Sequence, residues 1–231
     1  MKRLVPLGLA VAVLLAVVIV SSPTTTRAQG PGFLSSVLNR MQRNQQSLKS
    51  LRASVDMVKY NAQTGDEDRY NGIVLYVPAA GRNANVRIDW LSPARETLSV
   101  ANGQFMLCRV RLNMCYKGRA GSARQGKASA ALEFLSMSKQ QLAARYNVEG
   151  LGEENLDGVS TTHIKLTPKG GSSFKWAEAW IDANGMPVQT KVIERNDDST
   201  SVRLTNLQKN ASFSFDEFVL KIDSSFKIIP A

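Results

Sequence analysis

The sequence predicts a mainly β, α+β fold, in which a single antiparallel half-open barrel of about 10–11 strands wraps over an N-terminal helix and central lid helices. Three observations predict it: apolar residues recur at helical spacing after residue 30, they alternate with polar residues from Ala53, and short runs of Gly, Asn and Asp separate the alternating segments. A sheet that wraps around helices leaves an apolar cavity between the two, and such a cavity suits an acyl chain.

The first thirty residues are typical of an export signal. Lys2 and Arg3 precede an apolar run over residues 4–20, and small residues lead to Ala28. We therefore expect a signal peptide over residues 1–28, cleavage before Gln29, and a mature domain over residues 29–231 in the periplasm. The alternative is an uncleaved inner-membrane anchor, for which the run is at the short limit of a bilayer span.

One amphipathic helix opens the mature chain. Its apolar residues recur at spacings of three, four or their sums, which predicts a helix over residues 33–52. The residues of this stripe are Phe33, Leu34, Val37, Leu38, Met41, Leu48 and Leu51.

Strands follow at short intervals. Val55 and Met57 alternate with Ser54 and Asp56, and the turns carry residues that tolerate positive φ. The predicted later strands cover residues 72–77, 86–90, 161–167, 174–181, 187–194 and 201–207. Helices over residues 129–145 interrupt the series, and Ser138 with Gln141 forms a capping box that predicts a helix start at Lys139.

The two cysteines are placed to form a disulfide. A hairpin that turns at Arg111 and Leu112 brings Cys108 directly opposite Cys115, at the Cβ separation that a disulfide needs. An oxidising compartment favours that bond. The alternative is a pair of free buried thiols.

The composition excludes several classes of function. With one histidine and two cysteines, the chain cannot assemble the common zinc sites, so we expect no metal and no cofactor. No nucleophile elbow, P-loop, dinucleotide fingerprint or zinc-protease motif is present, and we expect no catalytic residue and no enzyme activity. A 7% aromatic content and the export signal argue against nucleic-acid binding.

A basic segment lies between Glu96 and Glu133, where the sequence has no acidic residue. We interpret it as a docking surface for an acidic partner or for lipid headgroups. The alternative is an ordinary solvated loop. The docking residues are Arg109, Arg111, Lys117, Arg119, Arg124 and Lys127.

Alternation in the strands and periodicity in the helices predict which residues line the cavity or its lid. The alternative for each is a place in an ordinary core. The predicted residues are Val55, Met57, Ile73, Leu75, Ile88, Trp90, Leu98, Val100, Leu132, Leu135, Met137 and Leu142.

Several local sequences, in order along the chain, resemble the periplasmic outer-membrane lipoprotein carrier (LolA) family. They are Ser-Leu-Lys-Ser-Leu at 47–51, Tyr-Asn-Gly-Ile-Val-Leu-Tyr-Val-Pro at 70–78, Val-Ala-Asn-Gly-Gln-Phe at 100–105, Leu-Thr-Pro-Lys at 166–169, and the tail from Leu204. Phe213, Phe215 and Phe218, and the end at 226–229, resemble the family's last strands.

The resemblance implies a monomeric half-open barrel capped by helices, without catalysis. It also implies partners: acylated lipoproteins or lipids as cargo, an inner-membrane ABC transporter that releases them, and an outer-membrane acceptor. One departure stands out, because Val77 occupies the position of a basic residue that latches the lid in well-known members. Arg82 and Arg87 are the candidates to replace that latch.

The function that we predict is a periplasmic carrier that binds acyl chains in a hydrophobic cavity and shuttles lipoproteins, or related lipids, from the inner to the outer membrane. Two alternatives stay open. The same fold resembles lipid- or lipoprotein-sensing domains of envelope regulators, and an exported structural β module with a filled core would bind no ligand.

Overall fold

The computed structural model describes residues 31–78, 84–120, 134 and 137–231. Two helices lie in these residues, α1 (Pro31–Ser47) and α2 (Lys139–Arg145). The strands are β1 (Leu51–Tyr60), β2 (Glu67–Val77), β3 (Asn85–Ser92), β4 (Glu96–Ala101), β5 (Gln104–Arg109), β6 (Met114–Arg119), β7 (Tyr146–Leu156), β8 (Val159–Pro168), β9 (Phe174–Asp182), β10 (Pro187–Glu194), β11 (Ser199–Lys209) and β12 (Lys227–Pro230).

All twelve strands form one open sheet in the order β12-β6-β5-β4-β3-β2-β1-β11-β10-β9-β8-β7. Neighbouring strands are antiparallel, except that β12 runs parallel to β6. The sheet does not close into a barrel, so the predicted half-open, mainly β fold is confirmed. The described residues contain twelve strands rather than about 10–11, and the last strand lies close to the C-terminus.

Helix α1 ends earlier than the apolar spacing predicts. Its last backbone hydrogen bond joins the Leu48 N–H to the Asn44 carbonyl, and β1 begins at Leu51. The predicted end at residue 52 is wrong because Leu48 and Leu51 pack with the sheet residues instead of extending the helical stripe. Three- and four-residue spacing alone does not distinguish these two arrangements.

Helix α2 begins where its capping box predicts. The Gln141 N–H donates to Ser138 Oγ at 3.2 Å, and the Ser138 N–H donates to Gln141 Oε1 at 2.8 Å. Of the helical region predicted before Lys139, residues 129–133, 135 and 136 lie outside the described residues, as does the predicted signal peptide. Neither described helix is long and apolar enough to cross a membrane.

Both helices lie on one face of the sheet, which we call the inner face. Val37, Leu38 and Met41 of α1 pack in a buried cluster with Ile164 and Ala179. The small side chains of Ala177 and Ala179 on β9 let α1 approach the sheet closely. The turn between β9 and β10 also contacts the helix, because a β-carbon at Gly185 would overlap the carbonyl oxygen of Arg40. Helix α1 therefore covers the half of the sheet formed by β7 to β10.

The opposite, outer face is covered in part by the C-terminal segment, residues 210–226. Phe218 of this segment is buried, and its carbonyl accepts a hydrogen bond from Ser99 Oγ. Arg87 Nη1 donates to the Glu217 carbonyl at 2.8 Å. The chain then returns to the edge of the sheet as β12.

Candidate functional site

The inner face of β1 to β6 carries an apolar surface that we call the floor. Directly opposed residues in a sheet point to the same face, so the strand register gives its rows. The first row is Leu51, Tyr76, Val86, Val100, Phe105 and Gly118, and the second is Ala53, Val74, Ile88, Leu98, Leu107 and Tyr116. Val55 and Trp90 lie in a third row, both opposite Gly72, and Met57 lies one row further along β1.

The floor lies on the same side of the sheet as α1. One row of opposed residues runs from Met57 through Val202, Thr190 and Ala179 to Ile164, which packs against the helix. The floor residues form their own buried cluster, which continues into β9 to β11, and no residue of α1 or α2 belongs to it. The cluster that holds the floor is thus buried, with Val74 and Ile88 0% exposed, and neither described helix contributes a residue to it.

Six of the twelve residues predicted to line the cavity or lid lie together in the floor. They are Val55, Met57, Ile88, Trp90, Leu98 and Val100. All six are buried, with Trp90 7% exposed and Leu98 3% exposed. Whether they contact a lipid stays a prediction.

The assignment of Ile73 and Leu75 to the cavity is wrong, because both lie on the outer face. They alternate with Val74 and Tyr76 of the floor, and Ile73 is 39% exposed. Leu75 is opposite Arg52 and Arg87, and both arginines contact Glu217 of the C-terminal segment. Since both faces of β2 are covered around Leu75, the strand is apolar on both faces at this point. Its sequence therefore does not show the alternation of polar and apolar residues that would distinguish the two faces.

The remaining lid residues lie elsewhere. Met137 and Leu142 are buried in the cluster under α1, together with Phe134. Leu132 and Leu135 lie outside the described residues, as does Arg82. Several floor residues were not predicted from the sequence. On β2, the polar residues Arg69 and Asn71 mark the outer face, and the alternation of side chains then places Val74 and Tyr76 on the inner face. The missed residues are Leu51, Ala53, Val74, Tyr76, Val86, Phe105, Leu107 and Tyr116.

A group of charged side chains borders the floor at the Trp90 end, and we call this group the belt. At the other end, Lys209 of β11 lies directly opposite Leu51, and its Nζ donates to Asn44 Oδ1 of α1 at 2.9 Å. The belt comprises Lys59, Asp68, Tyr70, Glu96 and Arg109, all at inner-face positions of β1, β2, β4 and β5. Arg109 Nε lies 3.3 Å from Glu96 Oε1, and Lys59 Nζ lies 4.7 Å from the centre of the Tyr70 ring. Each cation of the belt thus has a carboxylate on a neighbouring strand.

Two aromatic contacts join the belt to the floor. The rings of Tyr70 and Trp90 meet edge to face with centroids 5.8 Å apart, and the Arg109 guanidinium lies 5.6 Å from the centre of the Tyr116 ring. Burial raises the pKa of the Tyr70 hydroxyl, and the charges of Asp68 and Glu96 raise it further, against a smaller lowering by Arg109. The hydroxyl therefore stays protonated at neutral pH and can donate a hydrogen bond.

The predicted docking residues do not form one patch. Arg109 faces inward and belongs to the belt, whereas Lys117 and Arg119 are exposed on the other face of β6. Arg111 is exposed in the turn between β5 and β6. Arg124 and Lys127 lie outside the described residues.

The disulfide forms as predicted. Cys108 and Cys115 are directly opposed on β5 and β6, their Cα atoms are 4.1 Å apart, and their sulfurs are bonded. The turn between them is a short 3-10 helix, Val110–Leu112, closed by Asn113 in the left-handed conformation. Both cysteines lie on the outer face, so the bond fixes the hairpin without entering the floor.

The three tryptophans are divided between the faces. Trp90 lies in the floor, whereas Trp176 and Trp180 alternate along β9 with the inner-face residue Ala179. Trp180 is nevertheless buried and belongs to the same hydrophobic cluster as the floor. Trp176 Nε1 donates to Glu178 Oε1 at 2.9 Å. Trp180 Nε1 donates to Glu154 Oε2 at 2.7 Å, and its ring stacks on His163 at 4.1 Å. Trp90 is therefore the tryptophan placed to report on the floor.

Comparison with solved structures supports the fold. The crystal structure of MucB is 17% identical, with a TM-score of 0.54, over 83% of this chain and 64% of the MucB chain. The crystal structure of an uncharacterized conserved protein from Thermus thermophilus is 12% identical, with a TM-score of 0.55, over 86% of this chain and 99% of that one. At these identities, the likeness shows a shared fold alone. This chain spans less than two thirds of the MucB chain.

Comparison with protein families gives a more specific result. No curated protein sequence matches this chain. The family described as "Outer membrane lipoprotein carrier protein LolA" matches residues 79–221, which is well over half of the chain and includes β3 to β11. This chain therefore belongs to the LolA family of outer membrane lipoprotein carrier proteins.

Proposed function

We propose that this protein is a carrier that binds the acyl chains of lipoproteins, or of related lipids, on the floor. The observation that carries the proposal is the pair of apolar rows across six strands, placed on the helix-bearing face in a cluster to which neither described helix contributes a residue. Strands spaced at about 4.8 Å make each row about 24 Å long. A surface of this length and chemistry suits a hydrocarbon chain.

The energetics of acyl burial support a carrier role. Each buried methylene contributes about 0.8 kcal/mol, so a myristoyl-length chain gains on the order of 10 kcal/mol relative to water. A carrier must also release its cargo. Floor side chains that pack against one another when no lipid is bound lower the net gain, because binding has to separate them. Transfer to a more apolar acceptor then becomes favourable.

The proposal is one of binding without catalysis. The single histidine, His163, lies on the outer face, 3.3 Å from Glu154 and 3.4 Å from Glu178. Its ring stacks on Trp180 at 4.1 Å, and this arrangement suits a structural side chain. We further propose that the protein acts in the periplasm, that an inner-membrane ABC transporter supplies its cargo, and that an outer-membrane acceptor receives it. The family to which the chain belongs supports the proposal of these partners.

The first test is native mass spectrometry of the protein purified from the periplasm, before and after extraction with organic solvent. The proposal predicts bound lipid or lipoprotein that extraction removes. Bound lipid that is never passed to acceptor membranes would instead favour a sensing domain. A protein that carries no lipid and takes up no fluorescent lipopeptide would refute the binding role.

A pair of variants tests where the lipid binds. Leu98→Gln places an amide in the floor, whereas Ile73→Gln places the same group on the outer face of β2, where the native side chain is already exposed. Because a buried unpaired amide opposes burial of a hydrocarbon, we expect Leu98→Gln to weaken binding about tenfold. Ile73→Gln should bind as the unmodified protein does. Circular dichroism checks that both variants fold, and equal affinities of two folded variants would contradict the proposal.

A further inference from the structure

We infer that the belt is a headgroup subsite, at which the polar end of a bound lipid rests while its acyl chain runs across the floor toward the row of Val86 and Phe105. This inference rests on the proposed function and adds to it an orientation and a headgroup class. The class is a polar head without net charge, such as a glyceryl ester or a zwitterion.

The orientation follows from the distribution of charge on the inner face. In the described strands β1 to β6, every charged inner-face side chain belongs to the belt, at the end where Lys59, Glu96 and Arg109 lie. The row at the opposite end consists of aliphatic residues, Phe105, Tyr76 and Gly118. On β11 it continues to Lys209, whose Nζ donates to Asn44 Oδ1 of α1 at 2.9 Å. Trp90 lies four positions after Val86 on β3, a distance of about 13 Å along an extended strand. The surface is therefore amphiphilic along the strand direction, as a lipid is along its length.

The headgroup class follows from the pairing of charges within the belt. Arg109 is held by Glu96 at 3.3 Å, and Lys59 lies directly opposite Asp68. Two cations and two carboxylates leave no net charge to attract an anionic head. The Tyr70 hydroxyl, kept protonated by burial and by the two carboxylates, adds a hydrogen-bond donor. These groups suit ester and amide oxygens better than a free carboxylate.

The aromatic residues mark the boundary between the two regions. Tyr70 and Trp90 lie where the belt meets the floor, with one ring against the edge of the other. Rings that combine an apolar body with a polar edge favour such boundaries. At the opposite end, the Phe105 ring lies over Gly118, where an added β-carbon would come within 2.7 Å of its Cε1 atom. Phe105 thus closes the apolar end of the floor.

Fluorescence quenching by brominated lipids tests the orientation. The probes are lysophosphatidylcholines with bromine either near the carboxyl end or near the methyl end of the chain. The first protein carries Trp176→Phe and Trp180→Phe, which leaves Trp90 as the only tryptophan. The second carries these changes with Trp90→Phe and Phe105→Trp, which moves the reporter to the far row.

We expect the Trp90 protein to be quenched at least twofold more by bromine near the carboxyl end, and the Phe105→Trp protein to show the reverse preference. Quenching with no preference, or with the opposite preference, would overturn the orientation while leaving lipid binding intact. No quenching by either probe in either protein would refute the proposed function, and the inference with it.

A second measurement does not depend on substitution at the buried Phe105 site. Glu96→Gln leaves Arg109 without its carboxylate, so it should shift preference from lysophosphatidylcholine toward an anionic fatty acid by about tenfold. Glu67→Gln is the matched control, since Glu67 lies on the outer face of β2 and is exposed. The same shift in both variants, or in neither, would rule out the belt as the headgroup subsite.

Discussion

Trp90 of the floor and Glu96 of the belt lie directly opposite each other on β3 and β4. Trp90 is buried, whereas Glu96 forms an ion pair with Arg109 at the edge of the floor. Apolar and charged regions therefore meet within one pair of residues. A lipid, in which a polar head adjoins a hydrocarbon chain, has the same sharp change of character.

Truncation of a floor side chain should destabilise the protein far more than truncation on the outer face of β2. Leu98→Ala removes a side chain that is 3% exposed, whereas Ile73→Ala removes one that is 39% exposed. We expect Leu98→Ala to lower the free energy of unfolding by about 2–5 kcal/mol and Ile73→Ala by less than about 1.5 kcal/mol. Urea denaturation of the two variants measures the difference. Equal losses would mean that the two faces are not distinguished as described.

The contact between α1 and the turn after β9 should depend on Gly185. A β-carbon there would overlap the Arg40 carbonyl oxygen, so Gly185→Ala should displace the helix and cost about 1–3 kcal/mol beyond its backbone strain. Gly103→Ala is the matched control, because Gly103 also has positive φ but has open space around it. Hydrogen exchange should become faster in α1 for Gly185→Ala alone. Protection of α1 that is equal in the two variants would contradict this contact.

Loss of the disulfide should affect stability but not lipid binding. Cys108 and Cys115 close a short loop on the outer face, so replacing both with alanine should lower the free energy of unfolding by about 2–3 kcal/mol. The affinity for a fluorescent lipopeptide should remain unchanged, because the floor lies on the opposite face. Denaturation and binding titrations of the double variant measure the two effects. A marked loss of affinity in the folded variant would place the ligand elsewhere.

The ionisation of Tyr70 should respond in opposite directions to its two charged neighbours. Glu96→Gln removes a charge that raises the pKa of Tyr70, so the pKa should fall, whereas Arg109→Gln removes a charge that lowers it, so the pKa should rise. Absorbance of the phenolate during an alkaline titration measures both, with Tyr70→Phe to assign the signal. Shifts in the same direction would contradict the geometry of the belt.

The same group should make stability depend on pH in the alkaline range. The folded pKa of Tyr70 lies above the ordinary value of 10.0, so the unfolded chain loses this proton first. Its contribution is fully retained below about pH 10 and is lost as pH rises toward the folded pKa. The free energy of unfolding should therefore fall more steeply above pH 10 in the unmodified protein than in Tyr70→Phe. Identical slopes would show that the hydroxyl is not perturbed by folding.

Local sequence features predicted local structure well. The pairing of Cys108 with Cys115 and the start of α2 at Lys139 each depend on residues within one turn or hairpin, and both are confirmed. The end of α1 was less predictable. Leu48 and Leu51 fit a helical stripe by spacing, but they pack on the sheet, and only the tertiary arrangement decides between the two.

The floor was predicted in part, and of the belt only Arg109 was predicted, as a docking residue for a partner or for lipid headgroups. Six cavity residues were found by alternation, but Ile73 and Leu75 were misplaced, because both are apolar although they lie on the outer face. Leu75 is covered there by the C-terminal segment, whereas Ile73 is an exposed apolar residue that interrupts the polar phase. The belt joins residues from four strands, and no local pattern relates Lys59 to Arg109. The sequence identified Arg109 as basic, yet its inward direction depends on the register with Glu96.

The most direct test of lipid binding on the floor compares tryptophans on the two faces. Two variants retain one tryptophan each: Trp176→Phe with Trp180→Phe keeps Trp90, and Trp90→Phe with Trp180→Phe keeps Trp176. Both are titrated with a lipid whose acyl chain is brominated along its length. Lipid binding on the floor predicts strong, saturable quenching of Trp90 and none of Trp176. Quenching of Trp176 alone, of both equally, or of neither would contradict binding on the floor.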